Sequence, residues 1–176
     1  MKKKLNRPIK MYGGNMKGRI KAGEGALIGN AGEYYVMAEL LKRGIIAALA
    51  PRNAPAFDIL ATRKKQTVKI RVKTKSQEYP MWYYSVKKDG SIFRNLSKDG
   101  DFTVLVDLAM ATKDLKFYIV PTHQIDGWLR EGFDEWVKTP GKNNRPHDPT
   151  NKLRYLIQEK YARELSKYLN QWEKLW

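Results

Sequence analysis

The spacing of apolar residues changes along the chain, and each spacing predicts a different element. Between residues 30 and 43 apolar residues recur every three or four positions, which is the period of a helix. Asn30 and Glu33 are spaced as in a capping box, and Gly44 follows as a stop signal. The buried stripe of this predicted helix contains Val36, Met37, Leu40 and Leu41.

Strand-like runs follow this helix. The predicted strands cover residues 45–49, 57–62, 66–74, 102–108 and 115–120. Short connections join the first three strands, which predicts a small antiparallel meander, and residues 121–130 predict a second helix. Residues 29–138 are therefore expected to form one α/β domain.

The remaining segments differ in composition from this domain. Residues 1–28 are expected to form a flexible basic arm, because eight lysines and arginines precede the first acidic residue, Glu24. The arm either folds against phosphates or only aids solubility. Residues 139–152 are rich in Pro, Asn and Gly and predict a loop. In residues 153–176 apolar residues recur at helical spacing, which predicts a long C-terminal helix packed on the domain or on a partner.

Charge narrows the class of partner. The 176 residues include 34 Lys and Arg against 18 Asp and Glu, a net charge of +16. This excess favours nucleic acid, although an anionic membrane or an acidic protein would be attracted by the same field. No apolar run approaches the length of a membrane span, and the N-terminal residues do not resemble a secretory signal, so we expect a cytoplasmic protein.

Cysteine is absent, which excludes disulfides, a thiol nucleophile and cysteine-based zinc sites. The two histidines, His123 and His147, occupy ordinary polar positions. Any bound metal is therefore expected to be a hard ion with oxygen ligands, such as magnesium.

The third predicted strand has one charged face. Alternation places Lys69, Arg71, Lys73 and Lys75 on one side. Neighbouring cations about 7 Å apart repel each other by about 2 kcal/mol at an effective dielectric of about 20. This face therefore needs anions opposite it, which are protein carboxylates, phosphates or both.

Aromatic residues follow this strand and are interleaved with cations. Trp82, Tyr83 and Tyr84 precede Lys87, and Ile92 and Phe93 follow it. Such a pattern is typical of nucleotide stacking and phosphate contact, so Trp82 and Lys87 are candidate substrate-binding residues on a predicted hairpin. The alternative is that the aromatic side chains only cover the sheet.

Three residues carry a family resemblance: Glu33 on the first helix, Asp58 on the second strand and Lys73 on the third. Their types and order resemble the PD-(D/E)XK phosphodiesterase superfamily, which includes restriction endonucleases, Holliday-junction resolvases and homing endonucleases. The resemblance implies a restriction-endonuclease-like core, with a mixed central sheet of about five strands flanked by helices. It also implies an endonuclease acting on DNA, and by the same analogy a homodimer, because cleavage of two strands calls for two active sites.

The resemblance further implies roles for these residues. Asp58 and Glu33 would bind Mg²⁺, or Mn²⁺ in its place, and Lys73 would orient the attacking water or offset developing charge. The residues alone leave other roles open. Glu33 fits a capping box, and Asp58 could simply neutralise the cationic strand.

Arg71 departs from the family pattern, because it stands where the second metal-binding acid is expected. A cation about 6 Å from a divalent ion adds about 5 kcal/mol of repulsion at an effective dielectric of about 20. Three explanations remain open. The acid has moved to Glu24, Glu39 or Glu78; Arg71 binds phosphate together with Lys69, Lys73 and Lys75; or the arginine is peculiar to this one chain.

Three functions follow from these observations. The first is a magnesium-dependent endonuclease, in which Arg71 opposes cleavage because it replaces a metal-binding acid. The second is a non-catalytic nucleic-acid-binding module that keeps the nuclease fold. The third is a basic interaction protein whose C-terminal helix binds an acidic partner.

Overall fold

A computed structural model describes residues 24–51, 56–76, 79–109 and 111–176. Residues 1–23 of the expected basic arm lie outside this part. The helices are α1 (Glu24–Lys42), α2 (Thr122–Lys138) and α3 (Ala162–Ser166). The strands are β1 (Ile46–Leu49), β2 (Ile59–Arg63), β3 (Gln66–Ser76), β4 (Met81–Ser85), β5 (Asp101–Leu108), β6 (Lys116–Pro121) and β7 (Leu153–Ile157). Short 3-10 turns cover Thr112–Asp114, Lys142–Asn144 and Trp172–Leu175.

Five strands form the central sheet, in the order β1-β2-β3-β5-β6. The meander of β1, β2 and β3 is antiparallel, as predicted, and β6 is antiparallel to β5. β3 and β5 run parallel in the middle of the sheet. The prediction of an α/β domain with a mixed five-stranded sheet flanked by helices is confirmed.

Helix α1 begins earlier than predicted. It starts at Glu24 rather than after Asn30, so the capping-box interpretation of Glu33 is wrong, and residues 24–28 are helical rather than part of an arm. Packing against the sheet determines the extent of this helix more than the local capping signals do. Val36 and Leu40 are buried against the sheet, whereas Leu41 is 55% exposed because it lies about 100° further around the helix.

Both faces of the sheet are covered. On one face, Val36 and Leu40 of α1 pack with Ile59, Ile70 and Val104. On the other face, Leu105 packs with Trp82, Leu156 and Ile125, which come from β4, β7 and α2. Because the register pairs Lys73 with Leu105, this second face is also the one that carries the cations of β3.

β4 and β7 form a separate two-stranded ribbon. β4 pairs with β7, so the predicted hairpin between residues 82–84 and 92–93 is wrong. The predicted C-terminal helix is wrong as well, since Leu153–Ile157 is a strand and only the short α3 follows as an α-helix. The four-residue spacing of Leu153, Ile157 and Tyr161 resembled a helical stripe. Pairing with β4 and burial of Leu156 favour the strand instead.

None of the helices in the described ranges is long and apolar enough to cross a membrane.

Candidate functional site

Asp58 lies immediately before β2 and turns its carboxylate towards the backbone of β3. Its N–H donates to the Ile70 carbonyl at 2.9 Å, and its Oδ2 accepts a hydrogen bond from the Val72 N–H at 2.7 Å. Burial raises the pKa of Asp58. The Val72 N–H and the charges of Arg71 and Lys73 act in the opposite direction but do not cancel this effect. Asp58 is therefore a partly desolvated acid held in one orientation.

Lys73 projects into the same region from β3. Burial lowers its pKa, the nearby charge of Lys87 lowers it further, and Asp58 opposes both effects. Its Nζ lies 5.2 Å from the centroid of the Tyr84 ring, within range of a cation–π contact. The lysine thus loses its proton more readily than an exposed lysine.

A pocket of about 260 Å³ joins these two residues. Its charged lining consists of Asp58, Arg71, Lys73, Lys87 and Arg94. Phe57, Tyr84, Ile92 and Phe93 contribute aromatic and apolar walls. One carboxylate therefore faces four cations, and the pocket favours an anion.

Arg71 is held in place by Asp101, the first residue of β5. Its Nε donates to Asp101 Oδ1 at 2.9 Å and its Nη2 donates to Oδ2 at 2.8 Å, while Nη2 also donates to the Arg94 carbonyl at 2.9 Å. Asp101 is almost completely buried. The guanidinium fork is thus used inside the protein, and the expectation that Arg71 grips a phosphate with this fork is wrong. The Asp101 carboxylate offsets most of the positive charge that Arg71 would otherwise add to the pocket.

Lys75 is paired in the same way. Its Nζ donates to Asp107 Oδ1 at 2.7 Å, and both residues are buried. Lys75 therefore cannot contact a phosphate, and its predicted role in substrate binding is wrong. Protein carboxylates therefore neutralise part of the row of cations on β3. Asp101 and Asp107 share the cationic face because they align in register with Lys69 and Lys75.

Sequence reasoning missed these two aspartates as partners. The available signal was an acid near each end of the apolar run 102–106, at an even spacing that places both acids on one face. Only the parallel register shows that this face meets the cations of β3.

The remaining predicted substrate-binding residues differ in exposure. Trp82 is 0% exposed, and its Nε1 donates to the Val106 carbonyl at 3.1 Å, so its predicted stacking role is wrong. Alternation along β4 turns Trp82 inward and Tyr83 outward. Lys69 is partly exposed, and Lys87 is exposed at the rim of the pocket.

The fold matches solved structures. The bacterial homing endonuclease I-Ssp6803I superposes with a TM-score of 0.53 at 15% identity, over 85% of this chain and 91% of that chain. The chain has the restriction-endonuclease-like fold. The Holliday junction resolvase Hjc of Archaeoglobus fulgidus also matches, with a TM-score of 0.43 at 19% identity, over 76% of this chain and 87% of that chain. No protein-family model matches the chain, and no curated protein sequence matches it.

Within this restriction-endonuclease-like fold, Glu33 lies on α1 where the helix comes closest to β3. A Cβ atom on Gly32 would lie 1.9 Å from Thr74 Oγ1, so only glycine permits this approach. Glu33 is the next residue and is partly buried. Helix α1 packs on the face of the sheet opposite to Lys73, and Glu33 is not among the residues that line the pocket with Asp58 and Lys73.

Of the other acids proposed to replace the missing ligand, Glu39 is engaged by cations at the end of its own helix. Glu39 accepts a hydrogen bond from Lys42 at 2.9 Å and also pairs with Arg43 on the helix surface. Glu78 and the side chain of Glu24 lie outside the described part.

The donor set around Asp58 does not fit a divalent metal ion. Among the described residues, Asp58 is the one acid that lines the pocket, the other charged lining residues are cations, and Arg71 stands where the family resemblance implies the second acid. In residues 24–51, 56–76, 79–109 and 111–176, no group of three acidic or histidine side chains could hold a metal. The expected magnesium site thus has no supporting cluster of ligands among these residues.

Proposed function

We propose that the protein binds DNA through backbone phosphates that enter the pocket around Asp58 and Lys73. The observation that carries this proposal is the charge of the pocket, where Lys73, Lys87 and Arg94 outnumber the Asp58 carboxylate even after Asp101 has neutralised Arg71. The net charge of +16 supplies long-range attraction of the same sign. DNA is chosen over RNA because the sequence resembles endonucleases of the PD-(D/E)XK type and the neighbour I-Ssp6803I is a homing endonuclease.

Each cation contributes differently to such a site. Arg71 is fixed by Asp101, whose carboxylate offsets most of its charge, so it shapes the wall of the pocket more than it attracts a phosphate. Lys73 is partly desolvated, so its interaction with a phosphate is less screened by water. Lys87 is exposed at the rim and can follow the backbone as it enters.

Salt-dependent binding tests this function. We compare the double variant Lys73→Ala/Lys87→Ala with Lys64→Ala/Lys65→Ala, which removes the same charge from the β2–β3 turn at the far end of these strands. The pocket variant should reduce the slope of log affinity against log salt by about 2, which corresponds to two lost phosphate contacts, and the turn variant should change it little. Equal losses in the two variants would place binding outside the pocket.

Metal-dependent cleavage of DNA is the second candidate, and one observation favours it. Asp58 and Lys73, to which the family resemblance assigns catalytic roles, line the same pocket. Supercoiled, branched and single-stranded DNA are incubated with Mg²⁺ or Mn²⁺, with Asp58→Ala as the control. Cleavage that disappears in Asp58→Ala supports the second candidate. Binding without cleavage supports the non-catalytic function, and cleavage unaffected by Asp58→Ala removes Asp58 from the reaction.

A further inference from the structure

The β4–β7 ribbon has an aromatic face directed away from the sheet. Tyr83 lies opposite Tyr155 in the register, with ring centroids 5.3 Å apart and an interplanar angle of 79°. These residues are 41% and 36% exposed. Tyr79 extends the group, with its ring centroid 6.3 Å from that of Tyr83. Two exposed tyrosines and the partly buried Tyr79 thus form one group on a ribbon whose opposite face is buried.

We propose that this tyrosine face stacks the bases of an unpaired stretch of DNA whose backbone runs on into the phosphate pocket. The proposal rests on the function proposed above and adds a substrate class to it. Aromatic side chains stack on bases only where the bases are accessible, and in an intact duplex they are stacked on each other. Single-stranded, frayed or branched DNA is therefore the expected ligand.

The tyrosine face and the phosphate pocket are continuous along β4. Ser85 lies two residues from Tyr83, on the same outward side, and it lines the pocket together with Lys87. The four steps from Tyr83 to Lys87 cover at most about 13 Å when the chain is extended. A strand of DNA could therefore place bases on Tyr83 and a phosphate beside Lys87.

Cations flank this path where the ribbon ends. The Val86 N–H donates to the Lys152 carbonyl at 2.8 Å, so Lys152 lies beside the end of β4, and Lys87 and Lys88 directly follow Val86 in the chain. All three lysines are exposed. This charge complements a phosphate backbone, so the occupant favoured for the tyrosine face is a nucleic-acid strand rather than an apolar protein surface.

The test compares three labelled ligands of one sequence by fluorescence anisotropy: a single strand, its duplex, and a single strand with abasic sites in place of the central bases. The wild-type protein should bind the single strand about 5- to 150-fold more tightly than the abasic strand for each stacked base. Tyr83→Ala/Tyr155→Ala should bring the ratio of single-strand to abasic-strand affinity close to one and leave the duplex affinity unchanged. Tyr83→Phe/Tyr155→Phe should retain the ratio, because the ring remains.

Two further variants separate this proposal from the proposed function. Lys73→Ala/Lys87→Ala should weaken single-strand, abasic and duplex binding together, whereas the tyrosine variants affect only the ligand with bases. Tyr34→Ala is a matched control, because Tyr34 is 64% exposed on α1. Tyr83→Leu/Tyr155→Leu keeps apolar volume if the alanine variant does not fold.

An unchanged preference for bases in both the alanine and leucine variants would overturn the proposal. A second outcome would also overturn it: sedimentation shows a dimer, and these variants dissociate the dimer without changing DNA binding. The exposed Leu153 and Ile157 beside Tyr155 would then form an interface between two copies of the chain.

Discussion

Arg71 of β3 and Asp101 of β5 form a two-pronged buried ion pair, with Nε 2.9 Å from Oδ1 and Nη2 2.8 Å from Oδ2. The pair joins the two parallel strands at the centre of the sheet. The arginine that interrupts the family pattern is therefore part of the core of this protein. Its replacement should affect folding as well as binding.

Removing one member of this pair should be strongly destabilising. Asp101→Asn leaves the buried guanidinium without its counter-charge, and such a change costs about 3–5 kcal/mol. Urea unfolding followed by circular dichroism measures the loss. The double variant Arg71→Met/Asp101→Leu should recover most of it, because no buried charge remains.

A surface ion pair provides the control for this experiment. Glu39 pairs with Lys42 and Arg43 on α1, where solvent screens the charges. Glu39→Gln should cost less than about 1 kcal/mol. If the two single variants lose equal stability, the buried pair has no special structural role.

Asp58 should make stability depend on pH. Burial raises its folded-state pKa above that of an unfolded aspartate, so the folded state binds the proton more tightly. The resulting stabilisation is complete below the unfolded pKa and is lost as pH rises through the folded pKa. Asp58→Asn cannot ionise and can still accept the Val72 N–H. Its stability should therefore increase relative to the parent as pH rises from about 4, the ordinary pKa of an unfolded aspartate, through the folded pKa. Urea unfolding of both proteins across this range measures the difference, and a constant difference would contradict the raised pKa.

DNA affinity should fall as pH rises towards 10. Burial and the charge of Lys87 lower the pKa of Lys73, and its phosphate contact needs the protonated form. Lys73→Arg should reduce this fall, because a guanidinium remains charged throughout the range. Lys87→Gln should raise the pKa of Lys73 and move the fall to higher pH. Anisotropy titrations at fixed ionic strength measure each profile, and identical profiles for the parent and Lys73→Arg would assign the titration to another group.

Two glycines of α1 should respond to alanine in opposite directions. At Gly32 a Cβ would meet Thr74 Oγ1 at 1.9 Å, whereas at Gly29 nothing lies within 4 Å. Gly32→Ala should cost about 1–3 kcal/mol through overpacking. Gly29→Ala should stabilise by up to about 1 kcal/mol through helix propensity. Unfolding free energies of the two variants test this contrast, which depends on the close contact between α1 and β3.

The parts of the fold that could be predicted from sequence are those set by local pattern. The meander was recognisable because its strands are joined by short connections, and alternation placed the cations of β3 on one face. Asp58 and Lys73 were proposed from their types and order, and the structure places both in one pocket. Their catalytic roles, together with that of Glu33, stay predictions.

The parts that could not be predicted depend on pairing between distant residues. Asp101 meets Arg71 through a parallel register that no local signal encodes. Leu153–Ile157 becomes a strand because β4 is available as its partner. Side chains alternate between the two faces of a strand, so Trp82 and Tyr83 face opposite ways along β4. Which of them is buried depends on the side that meets the sheet, and a shift by one residue would exchange them.

The pairing of β4 with β7 spans a large part of the chain, because residues 86–152 lie between them. Closing so long a loop is entropically costly until the intervening strands and α2 have docked. The ribbon should therefore assemble late in folding, and the tyrosine face should exist only in molecules whose sheet is already complete. Partly folded chains would still attract polyanions through their charge, but they would lack any means of telling bases from phosphates.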